Sequence, residues 1–599
     1  MNDYPIEIRR HSAAHLMAAA VHHLFPEAKF GVGPTVEHGF YYDIDLGRPV
    51  TPEDLAAITK EMRSLIGQNP AFVREEVPLE EAIKLFGELG QTYKIELLND
   101  LKTKGTTRVS NEEAQDVDPQ NVGTVTLYRT GEFTDLCRGP HVAEAKDIGD
   151  GWKLTKVAGA YWRGKETNPQ MQRIYGLCFE NAEELSAFET LLLEAEKRDH
   201  RKLGKDLGLY SIIDEIGPGL PLFYPKGAML RRTVENYIQE TQERRGYEPI
   251  WIPHITKSRL YEISGHLQKY DAMYPPMQLP GEDAYYLKPI NCPHFMMLYR
   301  TLPHSYRELP VRWTCTTTNY RYEKSGELSG LTRVRSLTQD DCHVFCRPDQ
   351  IADEVNLMLD MISEVYQTFG FKNFWVRVST HDPANREKYI GDPQIWNESE
   401  KALEKLIEGR GWSFAIGVGE AAFYGPKLDF MAKDVLGREW QLSTIQLDMN
   451  LPERFELEYV DTDGQKKRPV VIHRAVLGST ERFLGILIEH FAGDFPLWLA
   501  PVQIIILPVA DRHHDFAHGL KRELDGLGLR VSVDESTESV GKKIRLAEHF
   551  KYPMMLVVGD KESAGDELSV RRRGVKEQIV IKKTDFIQQV LNEIKTRQN

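Results

Sequence analysis

The chain has 599 residues, enough for about three or four domains, and its 41% hydrophobic and 27% charged composition is typical of a globular protein. No apolar run is long enough to cross a bilayer, the N-terminus lacks signal-peptide features, and six cysteines are too sparse for a disulfide framework, so we predict a cytoplasmic protein without membrane association. The net charge of -14 argues only weakly against a nucleic-acid partner, because local rather than total positive charge neutralises phosphates.

The first segment, residues 1–180, has the pattern of an α+β domain. An amphipathic stretch, HSAAHLMAAAVHHLF, precedes the glycine-bounded, β-rich stretch KFGVGPTVEHGFYYDIDL. Residues 181–207 then have the pattern of one charged helix, with no Gly or Pro before Gly204. We predict that this helix links two domains.

The next segment, residues 208–498, begins with a turn-rich entry and a helix. Leu230, Val234, Tyr237 and Ile238 recur in it at helical spacing, and Gly246 is a natural stop. Strand-like runs such as VRWTCTTTNYRY and REWQLSTIQLDMN follow, and their hairpin-like spacing predicts a large antiparallel sheet.

The last segment, residues 499–599, alternates apolar runs such as VQIIILPV and MMLVVG with helical stretches. This alternation predicts an α/β domain with a largely parallel sheet. Basic residues concentrate in LSVRRRGVKEQIVIKK and in RRTVENYIQETQERR, where a solvated face is the simplest interpretation of either stretch alone.

Two charged segments carry the strongest chemical pattern. NYRYEKSGELSGLTRVRSLTQDD places Arg321 and Glu323 two residues apart, so on a strand they would project from the same face. An arginine there can pair with an α-phosphate, and the carboxylate can hold a base or an amine. In GSTERFLGILIEHF, Arg482 stands near a helix start after Gly478.

With YEPIWIPHI, these segments resemble the three motifs of class II aminoacyl-tRNA synthetases, and the threonyl-tRNA synthetase family in particular, over nearly all of the chain. The resemblance implies an α+β multidomain fold: a class II antiparallel sheet with flanking helices, an N-terminal α+β editing domain and a C-terminal α/β anticodon-binding domain. Pro253 would belong to the motif that usually forms the interface of a homodimer. The implied reaction activates threonine with ATP and transfers it to tRNA(Thr).

The resemblance also implies roles for individual residues. Arg321 would contact the α-phosphate and the substrate carboxylate, Arg482 the triphosphate and adenine, and Glu323 and Arg333 would orient ATP. Mg²⁺ is implied, because a bent triphosphate needs a cation that bridges its oxygens. The other residues that would line the amino-acid and ATP pockets are Gln339, Asp341, Tyr424, Lys427, Gln441, Thr444, Gln446 and Ser479. His266 matches a histidine implicated in aminoacyl transfer, although a satisfied loop histidine is the alternative.

Three residues far apart in the chain, Cys292, His343 and His473, match the zinc positions of this family. Three protein ligands would leave a fourth position open, as in catalytic zinc sites. The string CHVFC suggests a local site instead, but on a strand Cys342 and Cys346 point away from the face that carries His343, so we predict that they are packing residues.

Zinc would explain how valine is excluded. Valine has a methyl group where threonine has a hydroxyl, and an apolar pocket separates such isosteres only about a hundredfold. A metal that must bind both the amine and the hydroxyl excludes valine, and Asp341 would accept the hydrogen bond or proton of the hydroxyl.

Serine lacks one methyl group of threonine, a difference of only about 1–3 kcal/mol, so a hydrolytic editing site is expected. His11 and His15 have the i, i+4 spacing of one helical face, and DLCRGPHVA adds Cys137 and His141. These four could bind zinc, and a core-facing histidine pair is the alternative. RHSAAHL, GFYYDID and TDLCRGPH resemble the editing domain shared by threonyl and alanyl synthetases, which implies hydrolysis of seryl-tRNA by positioned waters without a catalytic metal. The implied site residues are His11, His15, Tyr42, Lys94, Asp135, Cys137 and His141.

The C-terminal segment resembles the anticodon-binding domain of class IIa synthetases. Glu562 and Arg571 match positions that read anticodon bases, and an arginine can form two parallel hydrogen bonds with guanine.

Some features depart from the family pattern. The family usually has a β-grasp domain ahead of the editing domain, whereas here His11 follows almost at once. Phe295 stands where the family usually has a histidine, Leu267 where it has a tryptophan, and Thr537 where it often has an anticodon-contacting asparagine. Three alternatives stay open: a paralogue that no longer charges tRNA, a metal-dependent hydrolase built on the N-terminal cluster, and a synthetase for serine or proline.

Overall fold

The computed structural model describes residues 4–104, 123–165, 167–434 and 436–598. The chain divides into two units, Met1–Leu193 and Glu194–Asn599. None of the helices in the described residues is long and apolar enough to cross a membrane.

The N-terminal unit places two antiparallel sheets around a buried helix. Its helices are α1 (Ile6–Leu24), α2 (Pro52–Gln68), α3 (Leu79–Glu88) and α4 (Thr92–Lys104). Its strands are β1 (Lys29–Phe30), β2 (Thr35–Val36), β3 (Gly39–Asp45), β4 (Phe72–Pro78), β5 (Thr124–Thr130), β6 (Phe133–Leu136), β7 (Trp152–Tyr161) and β8 (Gln170–Cys178). The strand orders are β1-β3-β8-β7, with β2 paired to β3, and β4-β5-β6.

Helix α1 is not the amphipathic helix that its sequence suggests. Every residue from Ser12 to Val21 is buried, because alanines cover the helix faces that would otherwise be polar. Small side chains let neighbouring elements approach from several sides. His15 of α1 therefore lies inside the unit.

The predicted single linker helix consists of two helices, α5 (Ala182–Arg198) and α6 (His200–Asp206). The Asp199 side chain accepts a hydrogen bond from the Arg201 backbone N–H at 2.7 Å and so begins a new helix. Aspartate competes with the helical backbone in this way and favours cap positions.

A large sheet organises the second unit, and it confirms the predicted class II fold. Among the described residues its strand order is β11-β14-β15-β22-β19-β18-β16-β17. The central pairings are antiparallel, while β11/β14 and β16/β17 are parallel. The strands here are β9 (Tyr210–Ser211), β10 (Leu222–Phe223), β11 (Glu248–Pro249), β12 (Ile255–Lys257), β13 (Tyr285–Leu287), β14 (Val311–Tyr320), β15 (Ser336–Cys346), β16 (Phe374–Thr380), β17 (Phe414–Val418), β18 (Lys427–Lys433), β19 (Glu439–Asp448), β20 (Tyr459–Val460), β21 (Lys466–Lys467) and β22 (Val470–Ala475).

Helices pack on both faces of this sheet. The helices are α7 (Pro225–Glu243), α8 (Ser258–Ser264), α9 (His266–Lys269), α10 (Cys292–Arg300), α11 (Ile351–Phe369), α12 (Pro393–Arg410), α13 (Leu451–Arg454) and α14 (Thr480–His490). As predicted, Leu230, Val234, Tyr237 and Ile238 are the buried stripe of α7, and they pack in the core with residues of α11 and α14.

The C-terminal sheet has the order β24-β23-β25-β26-β27. Its strands are β23 (Ile504–Pro508), β24 (Val531–Val533), β25 (Met554–Val558), β26 (Glu567–Arg572) and β27 (Gln578–Lys582), and its helices are α15 (His514–Gly526), α16 (Val540–His549), α17 (Asp560–Ala564) and α18 (Lys583–Thr596). The prediction of a largely parallel sheet is wrong for half of it, since β25/β26 and β26/β27 are antiparallel. The connections before β26 and β27 are shorter than the dozen or so residues that a parallel crossover needs.

Candidate active site

Cys292, His343 and His473 converge from three elements of the large sheet and its neighbouring helix. Cys292 is the first residue of α10, while His343 on β15 pairs directly with His473 on β22. One ligand atom from each residue lies within 4.8 Å of the others, and all three residues are buried. The His473 Nδ1 and Cys292 Sγ atoms are 3.1 Å apart.

The surroundings of these residues favour a metal. Neither ring nitrogen of the buried His343 has a hydrogen-bond partner among the described residues, an arrangement that carries a free-energy penalty unless a ligand satisfies it. The Asp448 carboxylate lies 2.9 Å from His473 Nε2, which leaves Nδ1 of that ring for a ligand. Burial lowers the pKa of His343 well below its ordinary value, so the imidazole is neutral, as metal binding requires.

The strand alternation that we predicted for CHVFC is confirmed. Cys342 and Cys346 are fully buried in the core that contains residues of α7, α11 and α14. His343 is on the opposite face, where its ring stacks on Phe295 with ring centroids 4.0 Å apart. The departure at Phe295 thus places an apolar ring against a candidate ligand.

Asp341 is held by two residues that sequence reasoning missed. Asn291 donates to Asp341 Oδ2 at 2.8 Å, and the buried Lys288 donates to Asn291 Oδ1 at 2.7 Å. Burial lowers the pKa of Lys288 to about 8. The sequence signal was the adjacency of KPIN to Cys292, but nothing in it indicated contact with Asp341.

Several predicted pocket residues meet around Asp429, which sequence analysis also missed. This fully buried carboxylate accepts hydrogen bonds from Gln441 at 2.9 Å and Thr444 at 3.1 Å, and it pairs with Lys427. Its position on β18, directly across from β19, explains why these side chains converge. Three other pocket residues hydrogen-bond elsewhere. Tyr424 donates to Gln446 at 2.5 Å, and Gln339 accepts from Asn319 at 2.6 Å.

Three arginines of the candidate site, Arg321, Arg333 and Arg482, lie close to one another. The prediction that Arg321 and Glu323 share a strand face is wrong. Strand β14 ends at Tyr320, and both residues lie in the following loop. Glu323 accepts from Arg333 Nε at 3.0 Å, and Arg482 Nε donates to the Thr332 carbonyl at 2.9 Å.

Charges in this group repel one another. Burial, and then Arg321 and Arg333, lower the pKa of Arg482. Arg333 is paired with Glu323 and Glu327, whereas Arg321 and Arg482 have no carboxylate partner among the described residues. Guanidinium groups without such partners favour binding of an anion such as a polyphosphate. Ser479 caps α14 by accepting a hydrogen bond from the Arg482 backbone N–H at 3.1 Å, which fixes where the helix that carries Arg482 begins.

His266 lies beside this site, at the start of α9. Its Nδ1 is 2.8 Å from Ser264 Oγ, while its Nε2 has no hydrogen-bond partner among the described residues. Burial lowers the pKa of His266 to about 4, with His473 as the next contribution. A neutral imidazole with an open nitrogen can accept a proton or a hydrogen bond. The adjacent Leu267 is half-buried.

The N-terminal unit holds a second cluster of cysteine and histidine. Cys137 Sγ is 3.3 Å from His11 Nε2 and 3.2 Å from His141 Nε2. Ser12 Oγ lies 3.2 Å from the other nitrogen of His141. Burial, and then His15, lower the pKa of His11 to about 4.

The sequence suggested that His15 could complete a set of four metal ligands, but in the structure it does not. Its Nε2 instead lies 3.1 Å from Asp135 Oδ2, which also accepts a hydrogen bond from Tyr42. Lys94 Nζ is 2.6 Å from the other carboxylate oxygen. Burial raises the pKa of Asp135, but Lys94 and His15 outweigh it, so the net pKa lies below the usual value. The seven predicted residues thus form two adjoining groups.

The predicted anticodon residues lie on neighbouring elements of the C-terminal sheet without touching one another. Glu562 on α17 accepts from the Gly559 N–H at 2.9 Å and from Ser569 Oγ at 2.5 Å. Arg571 on β26 contacts Glu548 at 3.0 Å. Thr537 is exposed.

Three family models match the chain. Residues 125–175 match the threonyl and alanyl tRNA synthetase second additional domain, residues 277–491 the class II core domain of tRNA synthetases (G, H, P, S and T), and residues 503–593 an anticodon-binding domain.

Relatives match almost the whole chain. The threonine–tRNA ligase of Porphyromonas gingivalis is 46% identical over 588 residues, which are 98% of this chain and 87% of the relative. That of Rubrobacter xylanophilus is 48% identical over 593 residues, or 98% and 89%. The crystal structure of the RNA binding domain of threonyl-tRNA synthetase from Cryptosporidium parvum is 35% identical, with a TM-score of 0.63, and covers 66% of this chain and 98% of its own. The chain belongs to the threonine–tRNA ligase family of class II aminoacyl-tRNA synthetases.

Proposed function

We propose that Cys292, His343 and His473 hold a zinc ion through which this ATP-dependent ligase selects threonine. The observation that carries the proposal is the buried His343 beside the Cys292–His473 pair, because neither of its ring nitrogens has a hydrogen-bond partner in the part of the chain that the structure describes. When bound, zinc with three protein ligands supplies an open Lewis-acid position that suits the neighbouring amine and hydroxyl of threonine.

Asp341 would recognise the hydroxyl. Asp341 lies two residues before His343 on β15, so by strand alternation both side chains face the same pocket. Asn291 orients the carboxylate through one oxygen, which leaves the other for the substrate. Valine would leave this buried carboxylate oxygen without its partner, and sites built to hydrogen-bond a hydroxyl discriminate strongly against analogues that lack it.

The arginine group would bind ATP with Mg²⁺. Arg321 and Arg482 would stabilise the charge that develops as the threonine carboxylate attacks the α-phosphate and pyrophosphate leaves. Arg333 and Glu323, already paired, would orient the nucleotide. The remaining residues that we propose to line the amino-acid and ATP pockets are Gln339, Tyr424, Lys427, Gln441, Thr444, Gln446 and Ser479.

His266 would act in the second step. Its neutral ring and open Nε2 suit it to receive the proton of the terminal ribose hydroxyl as threonine transfers to tRNA. Homodimer formation through the segment that contains Pro253, and a cytoplasmic location, belong to the same proposal.

The N-terminal cluster would hydrolyse seryl-tRNA. His11 and His141 are neutral and can position or accept a proton from water, while Lys94 and Asp135 provide fixed charges. The residues proposed for this editing site are His11, His15, Tyr42, Lys94, Asp135, Cys137 and His141. We propose no metal here, because the sulfur of Cys137 lies within hydrogen-bonding distance of both imidazoles.

These roles divide the chain into four proposed regions. They are an editing domain at 1–180, a linker at 181–207, a catalytic domain at 208–498 and an anticodon-binding domain at 499–599. In the last, Glu562 and Arg571 would contact anticodon bases.

Chelation tests the proposal on one preparation of the full chain. We expect one zinc per chain by elemental analysis. Removal of zinc should abolish threonine-dependent ATP–pyrophosphate exchange, and added zinc should restore it. Deacylation of preformed seryl-tRNA(Thr) should survive the same treatment. A fully metallated sample that activates valine as readily as threonine, or a protein that holds no zinc, would contradict the zinc role.

A further inference from the structure

His200, the first residue of α6, contacts the loop that carries Arg333. We call residues 321–335, between β14 and β15, the 321–335 loop. The Leu331 backbone N–H of this loop donates to His200 Nε2 at 3.0 Å. On the other side of the ring, His200 Nδ1 lies 2.6 Å from Glu489 Oε1. His200, Leu331 and Glu489 are all buried.

The direction of these hydrogen bonds fixes the state of the ring. Since the Leu331 N–H can only donate, Nε2 must accept and carries no proton. The proton of the neutral imidazole is then on Nδ1, where it is donated to Glu489. Glu489 also accepts from the His200 backbone N–H at 3.1 Å and pairs with Arg438. The carboxylate therefore holds the ring in the orientation that Leu331 needs.

The loop is shaped to allow this contact. Gly330 has a φ of +46°, and a Cβ added to it would lie 2.2 Å from His200 Nε2. Residues with a side chain rarely adopt that backbone conformation, and no side chain at this position would fit against the His200 ring. A glycine next to Leu331 thus permits the loop backbone to reach the imidazole.

The anchored turn lies between the candidate ATP ligands. The Thr332 carbonyl accepts from Arg482 Nε at 2.9 Å, and the Arg333 N–H donates to the Ser329 carbonyl at 3.2 Å. Fixing the Leu331 backbone therefore limits where the guanidinium groups of Arg333 and Arg482 can lie relative to each other.

We propose that His200 is a positioning residue that holds the 321–335 loop in the conformation that binds ATP. This inference rests on the ATP role proposed above for Arg321, Arg333 and Arg482. Through His200, helix α6 would contribute to the activation of threonine by ATP. Helix α6 directly follows the linker helix α5.

Two substitutions separate the two hydrogen bonds of His200. His200→Asn places an amide nitrogen where Nδ1 was, so it keeps the bond to Glu489 but is too short to reach Leu331. His200→Gln is long enough to offer a carbonyl oxygen to the Leu331 N–H. We expect His200→Asn to raise the KM for ATP in pyrophosphate exchange about tenfold, because a buried N–H loses its partner. The KM for threonine and the zinc content should not change, and His200→Gln should stay within about threefold of the unaltered protein.

The chain offers a matched control in His381. Its backbone N–H and its Nδ1 both contact Glu400 Oε1, at 2.7 and 2.8 Å, just as His200 contacts Glu489. His381→Asn should leave the KM for ATP unchanged. If His200→Asn leaves that KM unchanged, or raises the KM for threonine equally, or if His381→Asn has the same effect, the positioning role is wrong.

Arg333→Ala, measured in parallel, separates this inference from the proposed function. A raised KM for ATP in Arg333→Ala together with an unchanged KM in His200→Asn would overturn only the role of His200. An unchanged KM in Arg333→Ala would instead remove the ATP assignment of the loop.

Discussion

Two clusters in this chain contain a cysteine and two histidines, yet their surroundings differ. In the N-terminal unit, Cys137 Sγ is within hydrogen-bonding distance, 3.3 Å or less, of both His11 and His141. In the second unit, Cys292 contacts His473 and Tyr424, and neither ring nitrogen of His343 has a hydrogen-bond partner among the described residues.

This difference shows how similar donor sets can serve different chemistry. Donors that already bond one another gain little from a metal, whereas a buried imidazole without a partner gains a great deal. The outer partners differ too. Asp448 orients His473 toward the metal position, while Asp135 binds His15 beside the N-terminal cluster and compensates the charge of Lys94.

The largest effect should come from Cys292→Ala. Removing the thiolate leaves two imidazoles, so zinc content should fall close to zero and threonine-dependent exchange by more than the roughly hundredfold loss typical of an outer partner. Deacylation of seryl-tRNA should continue. Elemental analysis and the two assays on one preparation provide the measurement.

Cys346→Ala is the control for that substitution. Cys346 is equally buried and lies on the same strand as His343, but it packs on the opposite face. It should keep both zinc and activity. Full zinc content in Cys292→Ala would show that the metal is bound elsewhere.

The second effect concerns the N-terminal cluster. Asp135→Asn removes the charge that pairs with Lys94, and it should slow deacylation of seryl-tRNA about a hundredfold, since fixed charges contribute on this scale. Threonine-dependent exchange should not change. Asp43→Asn, which breaks the bidentate pair of Asp43 with Arg173 in the same unit, should leave deacylation near normal. Equal losses in both variants would mean that the effect is one of folding.

A smaller effect is expected for Asp448→Asn. The amide can still contact His473 Nε2 but cannot carry the negative charge, so zinc affinity should fall about ten- to a hundredfold. Competition with a chromogenic chelator would measure this change. Affinity within about twofold of the unaltered protein would mean that Asp448 does not support a metal ligand.

How much of this could be predicted from the sequence depends on the range of the interaction. Strand alternation correctly separated Cys342 and Cys346 from His343, because that rule needs only neighbouring residues. The antiparallel class II sheet and the buried stripe of α7 followed from periodicity in the same way.

The errors arose where a single residue ends an element or where distant residues meet. The prediction of a shared strand face for Arg321 and Glu323 was wrong because β14 ends one residue before Arg321. The linker helix breaks at Asp199 because the side chain of this residue caps a new helix. Asn291, His200 and Asp429 were missed since their roles come from partners far away in the chain, which periodicity does not reveal.

The last effect is a pH dependence of stability to which the N-terminal cluster contributes. The pKa of His11 is about 4 in the folded chain and about 6.5 when unfolded, and that of His141 is also lowered. Between these two pKa values the unfolded state binds more protons than the folded state. The contribution of these histidines to the free energy of unfolding is therefore complete above pH 6.5 and is lost as the pH falls toward 4. For His11 alone, the free energy of unfolding should decrease by about 2 to 3 kcal/mol between pH 7 and 4.5. Hydrogen exchange of amides in α1, corrected for the intrinsic rate, would measure it. His11→Gln should show a flatter dependence, and equal slopes in the two proteins would rule out His11 as the source.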